Sequence, residues 1–286
     1  MRRVLACAAG LWLAAAGAPA LGAPPAARDS TLDGRAVMER AVRAVYYPGH
    51  DMRARIRMEI AERGGTRRYR LMTVLRLNLP EEEQRYLLYF HEPGDVRRLT
   101  CMVHKHAGRD DDRWMFVPVA NRVRRVTAPE RSRFLGSDFV REEFSGRDAA
   151  ADSHMLARTE TWRGRRCYVV ESVPRGRGTE YARCTSWIDA ANFLPLRQEF
   201  RGERGELLRV FTAEGVKEFR GARGARFPTP VVRTMTEGAG GRWTRMTYES
   251  VGYDIGLHES DFSEAHMREP LSSWLPETIV PPGSPR

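Results

Sequence analysis

Residues 52 to 60 alternate without a break: Met52, Ala54, Ile56, Met58 and Ile60 are apolar, and Arg53, Arg55, Arg57 and Glu59 between them are charged. A period of two puts the first set on one face of a strand and the second on the other, a pattern no helix accommodates. The turn "ERGGTR" follows. Tyr69, Leu71, Leu75, Leu77 and Leu79 then resume the alternation, with Thr73 its polar member, until Pro80 ends it. Similar runs recur at hairpin spacing, among them "QRYLLYFHEP", "RRLTCMVHKH", "RWMFVPV", "RCYVVESV", "TPVVRTMTE" and "WTRMTYESVGY", and most are separated by Gly, Pro, Asn or charged turns. So many short strands predict a mainly β fold, a curled antiparallel sheet forming an unclosed, half β-barrel. One stripe of helical period, Val37, Met38, Ala41, Val42 and Val45, predicts an N-terminal helix that Pro48 and Gly49 end. Shorter helices are expected near 136–146 and 261–268, and with the first they cover the concave face. That face is then either a packed core or a ligand cavity, and periodicity does not choose between them.

The opening "MRRVLACAAGLWLAAAGAPALGA" has a basic start, an apolar middle and small residues near a cleavage point. It predicts a signal peptide over residues 1–22, cut after Ala20 or Gly22, and so an exported protein. Cys7 precedes most of the apolar segment, which argues against lipidation there. A flexible segment is expected over 23–30, a single domain over 31–275 and a flexible tail over 276–286; roughly 260 mature residues suffice for a core. The formal net charge of +10 is carried almost wholly by arginine, with lysine only at 105 and 217. Such a skew is more often a genome-composition signature than recognition chemistry, but the positive charge still permits attraction to anionic lipid head groups. Nucleic-acid binding fits poorly with export, and no recognition module is present.

No reaction centre emerges from the side chains. His104 and His106 would share a strand face near Asp110, Asp111 and Asp112, but no zinc-enzyme spacing accompanies them, and the bland reading is a polar turn between strands. There is no nucleophile elbow, Cys101 has no identifiable base, and Glu142 and Glu143 would point apart on a strand. The expectation is therefore no enzyme, no metal and no cofactor. Cys167 and Cys184 flank the turn "PRGRG", and a hairpin centred near 175 or 176 would set them opposite each other as a disulfide; two separately buried thiols are the alternative.

The segment "GRDDDRWMFVPVANRVRRVTAPERSRFLGSDF" is the densest in unusual features. It resembles the signature of the LolA-like family of outer-membrane lipoprotein-sorting proteins, which carry a D-D-x-W-x-Y-x-P stretch, then R-R-V-R-R-I, then G-S-D-F-x-Y-E-D-L. The matching residues are Asp111, Asp112, Trp114, Phe116 and Pro118; Arg122, Val123, Arg124, Arg125 and Val126; and Gly136, Ser137, Asp138, Phe139, Glu142, Glu143 and Phe144. Phe116 replaces tyrosine, Asn121 the first arginine, Glu143 and Phe144 the aspartate and leucine, and Arg141 the tyrosine of the last box. The resemblance implies a periplasmic carrier that holds the acyl chains of a lipid or lipoprotein and moves it toward the outer membrane. Its partners would be an inner-membrane exporter and an outer-membrane acceptor, with transient membrane-surface contact. The cavity candidates are Ile56, Met58, Ile60, Leu71, Leu75, Trp114 and Phe116. Arg122, Arg124 and Arg125 are the head-group candidates, unless they form only a solvated strand face. Asp111 and Asp112 are expected to pair with those arginines. The other reading is an envelope accessory protein of an exporter, with no lipid cargo.

Overall fold

In a computed structural model, described over residues 32–275 except 128–132, 141, 177–178, 223 and 239, the N-terminal helix α1 spans Gly34–Tyr46. Asp33 caps it, its carboxylate accepting the Ala36 N–H at 2.8 Å. The first helical residue must be glycine, because a Cβ on Gly34 would lie 2.6 Å from the Leu156 backbone nitrogen. The helix thus rests almost directly on a strand, and Val37 and Ala41 bury against Val170 and Ile188. The signal peptide at 1–22, the segment 23–30 and the tail 276–286 lie outside the described residues.

The strands follow in order: β1 (Asp51–Ala61), β2 (Arg67–Asn78), β3 (Gln84–Glu92), β4 (Thr100–Lys105), β5 (Asp112–Val117) and β6 (Arg122–Arg125) form a first meander. The short helix α2 (Glu142–Ser145) precedes a second meander of β7 (Asp152–Trp162), β8 (Arg165–Pro174), β9 (Arg183–Asp189), β10 (Pro195–Arg201), β11 (Leu207–Arg220), β12 (Arg226–Glu237) and β13 (Trp243–Tyr253). Every neighbour in sequence from β1 to β6, and from β7 to β13, pairs antiparallel, and β1 pairs with β13 to join the two meanders, with Met58 opposite Met246. The result is one 13-stranded sheet, with β6 and β7 at its two free edges. It is a curled sheet that does not close into a barrel, as the strand spacing predicts.

On the concave face Ala54, Ile56, Met58, Met72, Val74 and Leu88 lead the main apolar cluster. The convex face is apolar too along β2 to β5, where Leu75, Leu77, Leu87, Met102 and Phe116 pack under Leu257, Phe262, Met267 and Trp274 of the C-terminal segment. The short helix α3 (Glu264–Arg268) belongs to that segment, so it covers the convex face and not the concave one expected for it. Asp51, buried at the start of β1, anchors the segment by accepting the backbone N–H groups of Ile255, Gly256 and Leu257 at 2.7, 3.0 and 3.0 Å.

The expected Cys167–Cys184 bridge is absent, and both thiols are free and buried. The hairpin register sets Ser172 opposite Cys184 and Cys167 opposite Asp189, so the hairpin centre lies further along the chain than the turn residues suggest. The two cysteines also occupy different faces: Cys167 packs with Val169 and Trp187, whereas Cys184 belongs to the main concave cluster.

Candidate functional site: the concave cavity

α1 and the segment around α2 close over the concave face of the sheet without filling it. A cavity of about 230 Å³ remains. One buried water needs only ~10–15 Å³, so this is no packing defect. It falls just below the ~300 Å³ at which small-molecule pockets ordinarily begin. α1 lines it with Met38, Val42, Val45 and Tyr46, and the sheet contributes Ile56, Val74, Leu88, Met115, Met235 and Met246. The third side is a cluster of rings in which Phe134 and Phe144 lie 4.2 Å apart, Phe139 and Phe144 6.2 Å, and Phe139 and Phe211 6.4 Å. Six methionines and five phenylalanines are among the lining residues, and such side chains adapt to irregular apolar surfaces.

The Gly136-Ser137-Asp138-Phe139 box fastens this third side to the sheet. Gly136 takes a left-handed backbone conformation, with φ of 77°. Asp138 is 0 % exposed, and its carboxylate pairs with Arg133 at 2.7 Å and Arg242 at 2.6 Å and accepts the Thr244 hydroxyl at 2.7 Å. Its backbone N–H donates to the Thr244 hydroxyl, and its carbonyl accepts from Arg209. Glu143 pairs with Arg209 across the same gap. Ser137 is buried and donates to the Phe139 carbonyl. The box is therefore a clamp that presents Phe139 to the cavity.

The acidic end of the other motif is also structural. Arg125 pairs with Asp112, as expected, while Asp111 pairs instead with Arg113 of its own strand at 2.8 Å. Burial raises the Asp111 pKa, with Arg113 opposing it. His106 bridges Glu83 and Asp112 at 3.1 and 3.0 Å. His104 packs its ring edge-on against Trp114, and burial holds its pKa below the usual histidine value. Among the described residues no group of three His, Cys, Asp or Glu side chains is arranged to hold a metal ion. Pro118 ends β5 by opening a short helical turn.

The sequence-derived cavity candidates divide by face. Ile56 lines the cavity; Met58 and Ile60, on the same face, are fully buried in the core cluster and do not border the cavity. Leu75 and Phe116, expected in the cavity, instead pack in the convex cluster, and Leu71 shares the odd-numbered face of β2 with Leu75. Trp114 borders the cavity, but it also packs against the convex cluster and meets the His104 ring edge-on. Arg122, Arg124 and Arg125 are exposed on the edge strand β6 and do not line the cavity.

The arginines that do line it are Arg76, Arg113, Arg147, Arg209 and Arg233. Arg76 and Arg233 are hard to find from sequence because each sits at an alternate position in a strand, where a cation reads as the wet face. The available signal was that "LMTVLRL" is apolar on both sides of Arg76, so neither face of that strand is wet.

Comparison with known proteins agrees with this architecture. A domain described as an outer membrane lipoprotein-sorting protein domain, from Vibrio parahaemolyticus, is similar with a TM-score of 0.72 and 24% identity over 82% of this chain and 98% of that one. A DUF1329 family protein from Desulfovibrio piger gives 0.70 and 23% over 82% and 98%, and a LolA superfamily protein from Nitrosomonas europaea 0.62 and 18% over 82% and 100%. No curated protein matches the chain. A family model with the description "-like: Uncharacterized protein" matches residues 82–269, more than half of the sequence. The chain belongs to the family of that model, and its fold is LolA-like.

Proposed function

We propose that the protein is a non-enzymatic periplasmic carrier, exported by its N-terminal segment, that takes the acyl chains of a lipid or lipoprotein into the concave cavity and moves them toward the outer membrane. The observation that carries this reading is the cavity itself, a mostly apolar space that a 13-stranded sheet and α1 surround without filling. Burying a sixteen-carbon chain gains ~12 kcal/mol at ~0.8 kcal/mol per CH₂, ample to draw it out of water. Release then needs an apolar acceptor and movement of the pieces that close the cavity. α1 is suited to that movement, since it packs on β7 at a free edge of the sheet. An inner-membrane exporter as donor and an outer-membrane acceptor complete the route, with brief contact at the membrane surface.

Native mass spectrometry of protein purified without detergent tests the reading: co-purified lipid, or uptake of a fluorescent fatty acid by the empty protein, is expected. The substitution Val42→Trp, which projects a large ring from α1 into the cavity, should weaken uptake about tenfold by occupying the space. A protein that carries no lipid and takes up no fatty acid would instead favour an envelope accessory role. The free, arginine-bearing edge of β6 is the observation that supports that second reading.

A further inference from the structure

Ten charged side chains line the cavity, and their pairing is uneven. Of the carboxylates, Glu142 and Asp152 pair with Arg147 at 2.6 and 2.7 Å, and Glu143 pairs with Arg209 at 3.2 Å. Arg113 is held by Asp111. Asp148 and Glu180 are exposed. That leaves Arg76 and Arg233, and among the described residues no carboxylate lies within ion-pair distance of either. Arg76 is 2 % exposed; it donates one hydrogen bond to the Pro48 carbonyl, and its Nε is buried without a partner. Arg233 lies over the Tyr248 ring at 4.8 Å, and its Nε is likewise buried and unpartnered.

The two reach the cavity from different strands, β2 and β12, and meet among tyrosines. Tyr86 stands directly opposite Arg76 on β3, and Tyr253 neighbours it across β1. Burial lowers the Arg76 pKa, and the like charge of Arg233 adds to the effect. A guanidinium keeps its proton in proteins, so the site holds two positive charges, Arg76 fully buried and Arg233 half-buried, each with a buried Nε to spare. Buried charges are ordinarily paired with an opposite charge, and among the described residues neither Arg76 nor Arg233 has a carboxylate partner.

We propose that Arg76 and Arg233 form a buried anion subsite that receives the acidic head group of an amphiphile, a carboxylate or a phosphate, with its chain lying along the methionine and phenylalanine surface. The proposal rests on the carrier reading and adds a polarity to it. The cargo enters head-first and is selected for negative charge inside the cavity, not at the arginines of β6.

The test is a set of displacement titrations with palmitate, dodecyl phosphate, hexadecanol and inorganic phosphate. Palmitate or dodecyl phosphate should bind at least about tenfold more tightly than hexadecanol, and the stronger of the two identifies the head group. Inorganic phosphate should not compete at equal concentration; competition there would mean a site for free anions and would overturn the amphiphile assignment. R233M should weaken the acidic amphiphile about tenfold and leave hexadecanol unchanged. R76M should do the same. If giving up the Pro48 bond unfolds R76M, R233M still decides, because its guanidinium makes no such bond. Equal binding of palmitate and hexadecanol by the wild type would overturn the anion subsite and leave the carrier standing. Failure of every chain-bearing probe would remove the carrier itself.

Discussion

Removing the Asp138 carboxylate should destabilise the protein by about 3–5 kcal/mol, because D138A would leave Arg133, Arg242 and Thr244 around a buried vacancy in their pairing. Chemical denaturation reads the loss directly, and a shift under 1 kcal/mol would show that the clamp is dispensable. His91 offers a second residue-scale test. Burial, aided by the nearby Arg55 charge, pushes its pKa down to about 4, and its Nε2 meets the Thr73 hydroxyl at 2.9 Å. Above the ordinary histidine value of ~6.5 both folded and unfolded forms are neutral and nothing is lost. Below it the unfolded chain takes up the proton first, so stability falls between about pH 6.5 and pH 4. Carboxylates with lowered pKa, such as Glu83, act lower still. The thermal midpoint should therefore drop from pH 7.5 to pH 5, and H91Q should flatten that slope; an unchanged slope in H91Q would assign it elsewhere. A third test concerns the thiols. Burial pushes the Cys184 thiol up to about 12 and raises Cys167 as well, so in the native protein both should resist alkylation that goes to completion after unfolding.

At the scale of elements, the strand runs announced themselves and their faces did not. β1 is apolar on one side only, so its alternation assigns Ile56, Met58 and Ile60 to the concave face correctly. β2 is buried on both sides over residues 71 to 77, so its leucines and its Met72-Val74-Arg76 set compete for the same reading. The leucines look more like core, and they are core, but beneath the C-terminal segment. Nothing in a period of two shows that a segment some 180 residues later will cover the convex face. The same blindness moved Phe116 to the wrong side, and the register of the β8–β9 hairpin was hidden by a turn longer than its glycines suggest. What the motif residues did convey was attachment: Asp112 finds Arg125, and Asp138 finds partners more than a hundred residues away. The convex cover hangs on Asp51. D51A deletes the acceptor of three backbone N–H groups and should cost about 2–4 kcal/mol. Limited proteolysis at Arg268 should accelerate in that variant; a digestion pattern like the wild type's would mean that Leu257, Phe262, Met267 and Trp274 hold the segment by packing alone.

For the whole molecule, the decisive contact is β1 with β13. The sheet order runs outward from that pair in both directions, so the first and last strands of the chain are neighbours at its centre, and the free edges fall in the middle of the sequence. Had the meanders closed on themselves, each would be a separate folding unit. As built, neither can bury its share of the concave cluster alone, since Ala54, Ile56 and Met58 of the first meander pack in one cluster with Phe211, Met235 and Met246 of the second. The cavity exists only when both are in place, because its lining draws on β2 and β3 from one and β12 and β13 from the other. We therefore expect residues 31–275 to unfold as one cooperative unit, with a calorimetric enthalpy equal to the van't Hoff enthalpy. A substitution in the central pair, Met246→Ala, should lower the midpoint by removing about 2–5 kcal/mol of buried contact without splitting the transition. Hydrogen exchange adds position: amides of β1 and β13 should be among the slowest, and those of β6 and β7 the fastest of the strands, because only the edges can open without breaking the pair that joins the halves. Two resolved transitions, or slow exchange confined to one meander, would mean that the halves fold independently and that the cavity is assembled by docking.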